Sequence, residues 1–182
     1  MNRATGVLYK RFMALRDDIL SWDGKSSAVI TQVYEAHASS RGFLGRLVSL
    51  SGDAECEVGA TWLVKHHIEA GASMNQDQAD KWYALAPNLS HWGAKLHLLQ
   101  CMPVVAVPKG RATKIEKWLS ACLTSEQKFV RAWALSGYAD LARAHPKYHD
   151  QAMDMLEDAR ENDPAASVRA RARQVLKAGK RG

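Results

Sequence analysis

The sequence predicts an all-α chain of antiparallel helix pairs stacked one on the next as a solenoid. Three observations predict it. Nearly every segment carries apolar residues at helical spacing, with no strand-like alternation longer than a few residues. Cap, turn and breaker residues cut the chain into segments of roughly ten to seventeen residues, the ordinary helix length. A short motif returns at near-constant intervals, which is the sign of a repeat architecture.

The breaks fall at Trp22-Asp23-Gly24-Lys25, Ser39-Ser40, Ser51-Gly52-Asp53, Gly71-Ala72-Ser73 and Pro87-Asn88. They continue at Pro103 to Gly110, Thr124-Ser125, His145-Pro146 and Asn162-Asp163-Pro164. About ten helices result, joined by short turns and with no linker long enough to divide the chain into two domains. Residues 5–21 and 25–38 read as a first helix pair, so residues 1–40 form an atypical N-terminal cap.

The motif begins as Val58-Gly59-Ala60-Thr61-Trp62-Leu63 and is echoed by Trp92-Gly93-Ala94-Lys95-Leu96-His97. It returns as Val130-Arg131-Ala132-Trp133-Ala134-Leu135 and as Val168-Arg169-Ala170-Arg171-Ala172-Arg173. The anchors at 58, 92, 130 and 168 lie 34, 38 and 38 residues apart. Each follows, by four or five residues, a residue suited to capping a helix: Asp53, Asn88, Ser125 and Asp163. The intervening helices echo one another as Asp80-Lys81-Trp82-Tyr83, Glu116-Lys117-Trp118-Leu119 and Asp154-Met155-Leu156-Glu157. The Ala is placed where two helices approach closely. The apolar anchor supplies buried area, on the order of 1.5–3 kcal/mol per large side chain. A single hairpin cannot bury its own apolar face, so neighbours must stack.

The Asp163-Pro164 turn before Val168-Arg169-Ala170, with the Phe129-Val130-Arg131 opening, resembles the HEAT-repeat family. The resemblance covers residues 41–179 as four units beginning near Arg41, Met74, Arg111 and Lys147. It implies a right-handed α-α superhelix whose second helices line the concave side. Gly59 and Gly93 stand where the family places Arg, so an Arg ladder would be incomplete there.

Composition bounds the function. Apolar residues make up 47% and charged residues 24% of 182, the balance of a folded chain. No stretch of eighteen apolar residues occurs. Arg3, Lys10, Arg11, Arg16, Asp17 and Asp18 leave no room for a signal-peptide core. Cys56, Cys101 and Cys122 lack CxxC spacing and fit free thiols, so a cytoplasmic location is expected. Residues 1–91 hold 9 Lys/Arg against 10 Asp/Glu, whereas residues 92–182 hold 16 against 9. The last eighteen residues contain Arg169, Arg171, Arg173, Lys177, Lys180 and Arg181 and no acid. Such an end attracts nucleic acid, an acidic protein or an anionic surface, or simply keeps a terminal helix solvated.

On the second helices Lys95, Arg131, Arg169 and Arg171 are expected to form a basic lane near Trp133, extended by Lys65. Trp133 shares its repeat position with the polar Thr61, Lys95 and Arg171, which predicts an exposed side chain. Trp62, Trp82, Trp92 and Trp118 fall in core slots. For Arg131 and Arg169 the preferred alternative is pairing with acids of neighbouring units as struts. Neither metal nor cofactor is expected. His66 and His67 point to different faces, Pro146 separates His145 from the helix of His149, and His91 and His97 are six apart. No Gly-rich phosphate loop, GxSxG elbow or paired carboxylates near a base occur, and no catalytic residue is assigned.

The expected function is therefore a non-enzymatic interaction scaffold whose basic concave surface binds an acidic surface, helix or peptide of another protein, without membrane insertion. The alternative partner is nucleic acid. The overall plan is similar to that of the HEAT-like alkylpurine DNA glycosylases, and this resemblance would make Arg131 face DNA. Those enzymes use a Trp followed four residues later by a catalytic Asp. Here the six tryptophans are followed at that distance by Ser26, His66, Ala86, Leu96, Cys122 and Gly137, none of them acidic.

Overall fold

The protein is described by a computed structural model over residues 3–179. It is all-α: ten α-helices and no strand occur among the described residues. The helices are α1 (Arg3–Leu20), α2 (Ser27–His37), α3 (Phe43–Leu50), α4 (Glu57–Glu69) and α5 (Gln76–Leu85). They continue as α6 (Trp92–Cys101), α7 (Ala112–Leu123), α8 (Lys128–Ala144), α9 (His149–Asn162) and α10 (Ala166–Gly179). Short 3-10 turns at Ala86–Asn88, Lys109–Arg111 and Pro146–Tyr148 stand between α5 and α6, between α6 and α7, and between α8 and α9. Every break expected from Gly, Pro, Ser, Asn and Asp falls between helices. Lys180 and Arg181, counted above in the basic C-terminal end, lie outside the described residues.

Local chemistry explains the helix ends. Ser26 accepts from the Val29 amide to cap α2, and Asn75 and Gln78 form a reciprocal capping box on α5. Gly42 and Gly71 adopt φ of 75° and 97°, a left-handed conformation at the turns into α3 and out of α4. The expected caps of the second helices sit slightly too early. Asp53 Oδ1 accepts from the Glu55 amide, Ser125 Oγ from Gln127, and Asp163 Oδ1 from Ala165. These three cap the turn, and the helix follows it. Asn88 lies within a 3-10 turn, and the cap of α6 is His91, whose Nδ1 accepts from the Gly93 amide at 3.0 Å.

The packing order follows the chain. α4 packs on α6, α6 on α8 and α8 on α10, while α3, α7 and α9 pack on α4, α8 and α10. α1 and α2 pack on each other and both reach α4. Buried side chains recur at helical spacing. Ile115, Trp118, Leu119 and Cys122 line α7, and Val168, Ala172 and Leu176 line α10. The apolar interior is one large cluster running from Leu15 to Ala152, with a smaller one of Ala132, Leu135, Leu156, Val168, Ala172 and Leu176 at the α8–α9–α10 end. Ala60, Ala94 and Ala132 are buried at the helix contacts, as the motif requires, but Ala170 of the last unit is only half-buried.

Trp82 and Trp118 are core residues, but Trp92 is 42% exposed and Trp62 only half-buried. The reason lies next to Trp92. Gly93 takes the buried place, where a Cβ would stand 3.1 Å from His91 Nδ1 and 3.7 Å from Val58 Cγ1. With Gly93 turned inward, the neighbouring indole turns out. Thr61 departs from expectation in the opposite sense and is fully buried.

Candidate binding surface

The second helices α4, α6, α8 and α10 form a continuous series, and the six residues of the expected basic lane all lie on them. Their side chains have different fates. Arg131, in the first turn of α8, places Nε 2.9 Å and Nη2 3.1 Å from the two carboxylate oxygens of Asp163. Its Nη1 donates to the Ser125 and Glu126 carbonyls at 2.7 and 3.2 Å. The two side chains are only 13% and 10% exposed. Burial alone would raise the Asp163 carboxyl, but bonds from Arg131 and the Ala165 amide bring it below the usual range. Bonding to Asp163 in turn raises Arg131.

Arg169 repeats half of this arrangement one unit later. Its Nη1 donates to the carbonyls of Asp163 and Pro164 at 2.6 and 3.1 Å, six and five residues back, the same offsets as in Arg131. Both arginines thus staple the turn that precedes their own helix, and Arg131 adds a tie to the next turn. Lys65 pairs with Glu69 one helical turn on, at 2.8 Å. Arg171 lays its guanidinium 4.0 Å above the ring centroid of Trp133, which is half-buried beneath it. Lys95 is half-buried and close enough to Cys122 to oppose the burial that pushes that thiol up to about 12. No ion pair of Lys95 or Arg171 occurs among the described residues.

What remains open on this series mixes cations with two aromatics: Lys128 on α8 and Arg173 and Lys177 on α10 are exposed. Trp92 and Phe129, at the starts of α6 and α8, are 42% and 51% exposed. His91 stacks on Trp92, and Trp62 stacks on His66 at 4.9 Å between centroids. Lys128 lies over the Phe129 ring.

Three polar features escape motif reasoning. Glu57 is buried, yet its carboxylate accepts from the Ser90 and His91 amides and from Ser90 Oγ, at 2.7–3.2 Å. It ties α4 to the start of α6 one repeat ahead, and those donors offset the cost of burying its charge. Thr61 Oγ1 donates to the Glu57 carbonyl at 2.7 Å and lies 3.0 Å from His97 Nδ1. Burial drives His97 down to about 3, and it stays neutral. Asp140 is buried on α8, its Oδ1 held by Arg143 while Oδ2 has no partner, and burial raises its carboxyl. The spacing of 33 or 34 residues from Glu57 to Ser90 and His91 matches the repeat interval and was the only signal in the sequence.

The cysteines are free and buried. Among the described residues no group of three or more His, Cys, Asp or Glu side chains could hold a metal, and no helix is long and apolar enough to cross a membrane. No family model, curated protein or solved structure matches the chain.

Proposed function

We propose that the protein is a HEAT-type α-solenoid, a right-handed superhelix of stacked helix pairs that binds another protein through the series α4, α6, α8 and α10. The unbroken order of contacts along these helices supports the stacking. One observation carries the function. Lys65, Arg131 and Arg169 of the expected lane are engaged internally, whereas Trp92 and Phe129 are left open at the head of adjacent helices. Nucleic-acid affinity comes mainly from cations free to contact phosphate. Protein interfaces take their energy from aromatic anchors surrounded by polar groups, which is the pattern of Trp92, Phe129, Lys128 and Arg171.

The first test is fluorescence anisotropy of a labelled DNA duplex of about 20 base pairs at low and physiological salt. The protein-binding reading expects only a weak association that salt abolishes. Binding that persists at physiological salt and collapses in Arg171→Glu and Lys95→Glu would establish the nucleic-acid alternative instead. A display library of helical peptides supplies the positive arm. Selected peptides are expected to lose about tenfold in affinity or more for the Trp92→Ala/Phe129→Ala double variant.

A further inference from the structure

We infer that the segment Val105–Pro108, between α6 and α7, is an open backbone edge that takes up an extended peptide with alternating apolar residues and an acidic residue at one end. The inference rests on the protein-binding reading only in that the ligand is a polypeptide, since the edge lies apart from Trp92 and Phe129.

Exposure alternates from Val104 to Val107. Val105 and Val107 are buried, Val104 and Ala106 are exposed, and Val104, at 71%, is the most exposed large apolar side chain described. Two side chains hold the inner residues in place. The Tyr83 hydroxyl donates to the Val105 carbonyl, and His145 Nε2 donates to the Val107 carbonyl at 2.8 Å. Neither helix nor turn is formed over 106–108, and Pro108 is extended at φ −60° and ψ 143°.

In an extended chain the N–H and C=O of one residue face one edge, and those of its neighbours face the other. With the carbonyls of Val105 and Val107 turned to the protein, the amide and carbonyl of Ala106 face away from it. Among the described residues neither forms a hydrogen bond. Peptides recognised by strand addition pair with such an edge through backbone hydrogen bonds and fill adjoining space with alternate side chains. That space is present: a cleft of about 420 Å³ lies between this segment and the turn Ser73–Gln76.

Charge completes the description of the ligand. Lys109 lines the same cleft and makes no ion pair among the described residues, while Arg111 beyond it is taken by Asp80. A carboxylate at the Lys109 end of the peptide would find a free cation. Pro103 and Pro108 flank the open residue and keep the edge too short for indefinite pairing of one chain with another.

The probe is a displayed library of random heptapeptides, panned on the full chain. Panning is repeated on Ala106→Pro, on Lys109→Glu and on Trp92→Ala/Phe129→Ala. Proline suits an extended backbone but lacks the donor amide. Enriched peptides are expected to alternate apolar residues and carry an acid. Their affinity should fall about tenfold in Ala106→Pro and about fivefold in Lys109→Glu, and hold in the double variant. Peptides lost only in the double variant would overturn the edge and leave the protein-binding reading standing, and no enrichment on any chain would overturn both. Because Ala106→Pro could perturb the fold, the deciding measurement is made on the native chain. Amide exchange at Ala106 should slow at least tenfold when a selected peptide is bound, and an unchanged rate overturns the proposal.

Discussion

Arg131 and Asp163 stand among the least exposed ion-paired side chains of the molecule, and Arg131 also holds two carbonyls of its own turn. Arg131→Met leaves a poorly hydrated carboxylate and unmet acceptors, so it is expected to lower the unfolding free energy by about 3 kcal/mol in urea titrations. Arg160→Met removes pairs with Glu157 and Glu161 whose side chains are 38%, 46% and 64% exposed, and should cost less than about 1 kcal/mol. A charge reversal at Arg131 therefore reports on stability, and binding tests belong at Arg171 and Lys95. Two partly buried histidines set the pH response. Burial lowers His97 to about 3 and, with His66, also lowers His67, while in the unfolded chain each titrates near 6.5. Between those values the unfolded state binds more protons, so stability falls as pH drops below 6.5. Asp53, Asp80 and Asp163 are held below the usual carboxylate range, and their contribution is lost only under stronger acid. Urea midpoints at descending pH should thus begin to fall well before the carboxylates protonate. A midpoint constant down to pH about 4 would contradict the lowered titration of both histidines.

Two glycines inside helices separate packing from propensity. A Cβ on Gly59 of α4 would stand 2.8 Å from Ile19 Cγ2 and 3.3 Å from the Trp22 ring, so this glycine lets α1 close onto α4. At Gly45 of α3 nothing lies within 4 Å. Gly45→Ala is expected to stabilise by about 0.5–1 kcal/mol through helix propensity alone. Gly59→Ala should instead destabilise by about 1 kcal/mol, the cost of overpacking against stiff neighbours exceeding the same gain. Equal shifts in melting temperature for the two variants would refute the close approach. Gly59 shares its repeat position with Arg131 and Arg169, but its place is filled by Ile19 of α1 and Trp22 of the turn after it, which leave no room for a side chain.

At the scale of the whole molecule the apolar interior is unequal. The small cluster around Leu156, Val168, Ala172 and Leu176 belongs to α8, α9 and α10 and stands apart from the main one. Native-state hydrogen exchange is expected to detect opening of α9 and α10 together at a lower free energy than α4, α6 and α8. A single exchange limit common to all helices would refute it. The basic C-terminal half follows the same division, because Arg169 and Arg171 of α10 reach back to the turn before it and to Trp133 of α8.

Helical spacing and breaker residues determined the all-α class, the count of about ten helices and every break between them, since each depends on residues within one or two turns. The same local logic placed Trp82 and Trp118 in the core and left the cysteines free. Tertiary structure alone decided which cations remain available, why Trp92 faces out, and why Glu57 can be buried without a cation. It also decided that the stretch before α7, readable only as a break, has its Val105 and Val107 carbonyls held inward by Tyr83 and His145. The physical reason is common to all of these. A side chain's periodicity names its face on a helix. What that face meets depends on how the next helix is rotated and on donors more than thirty residues away.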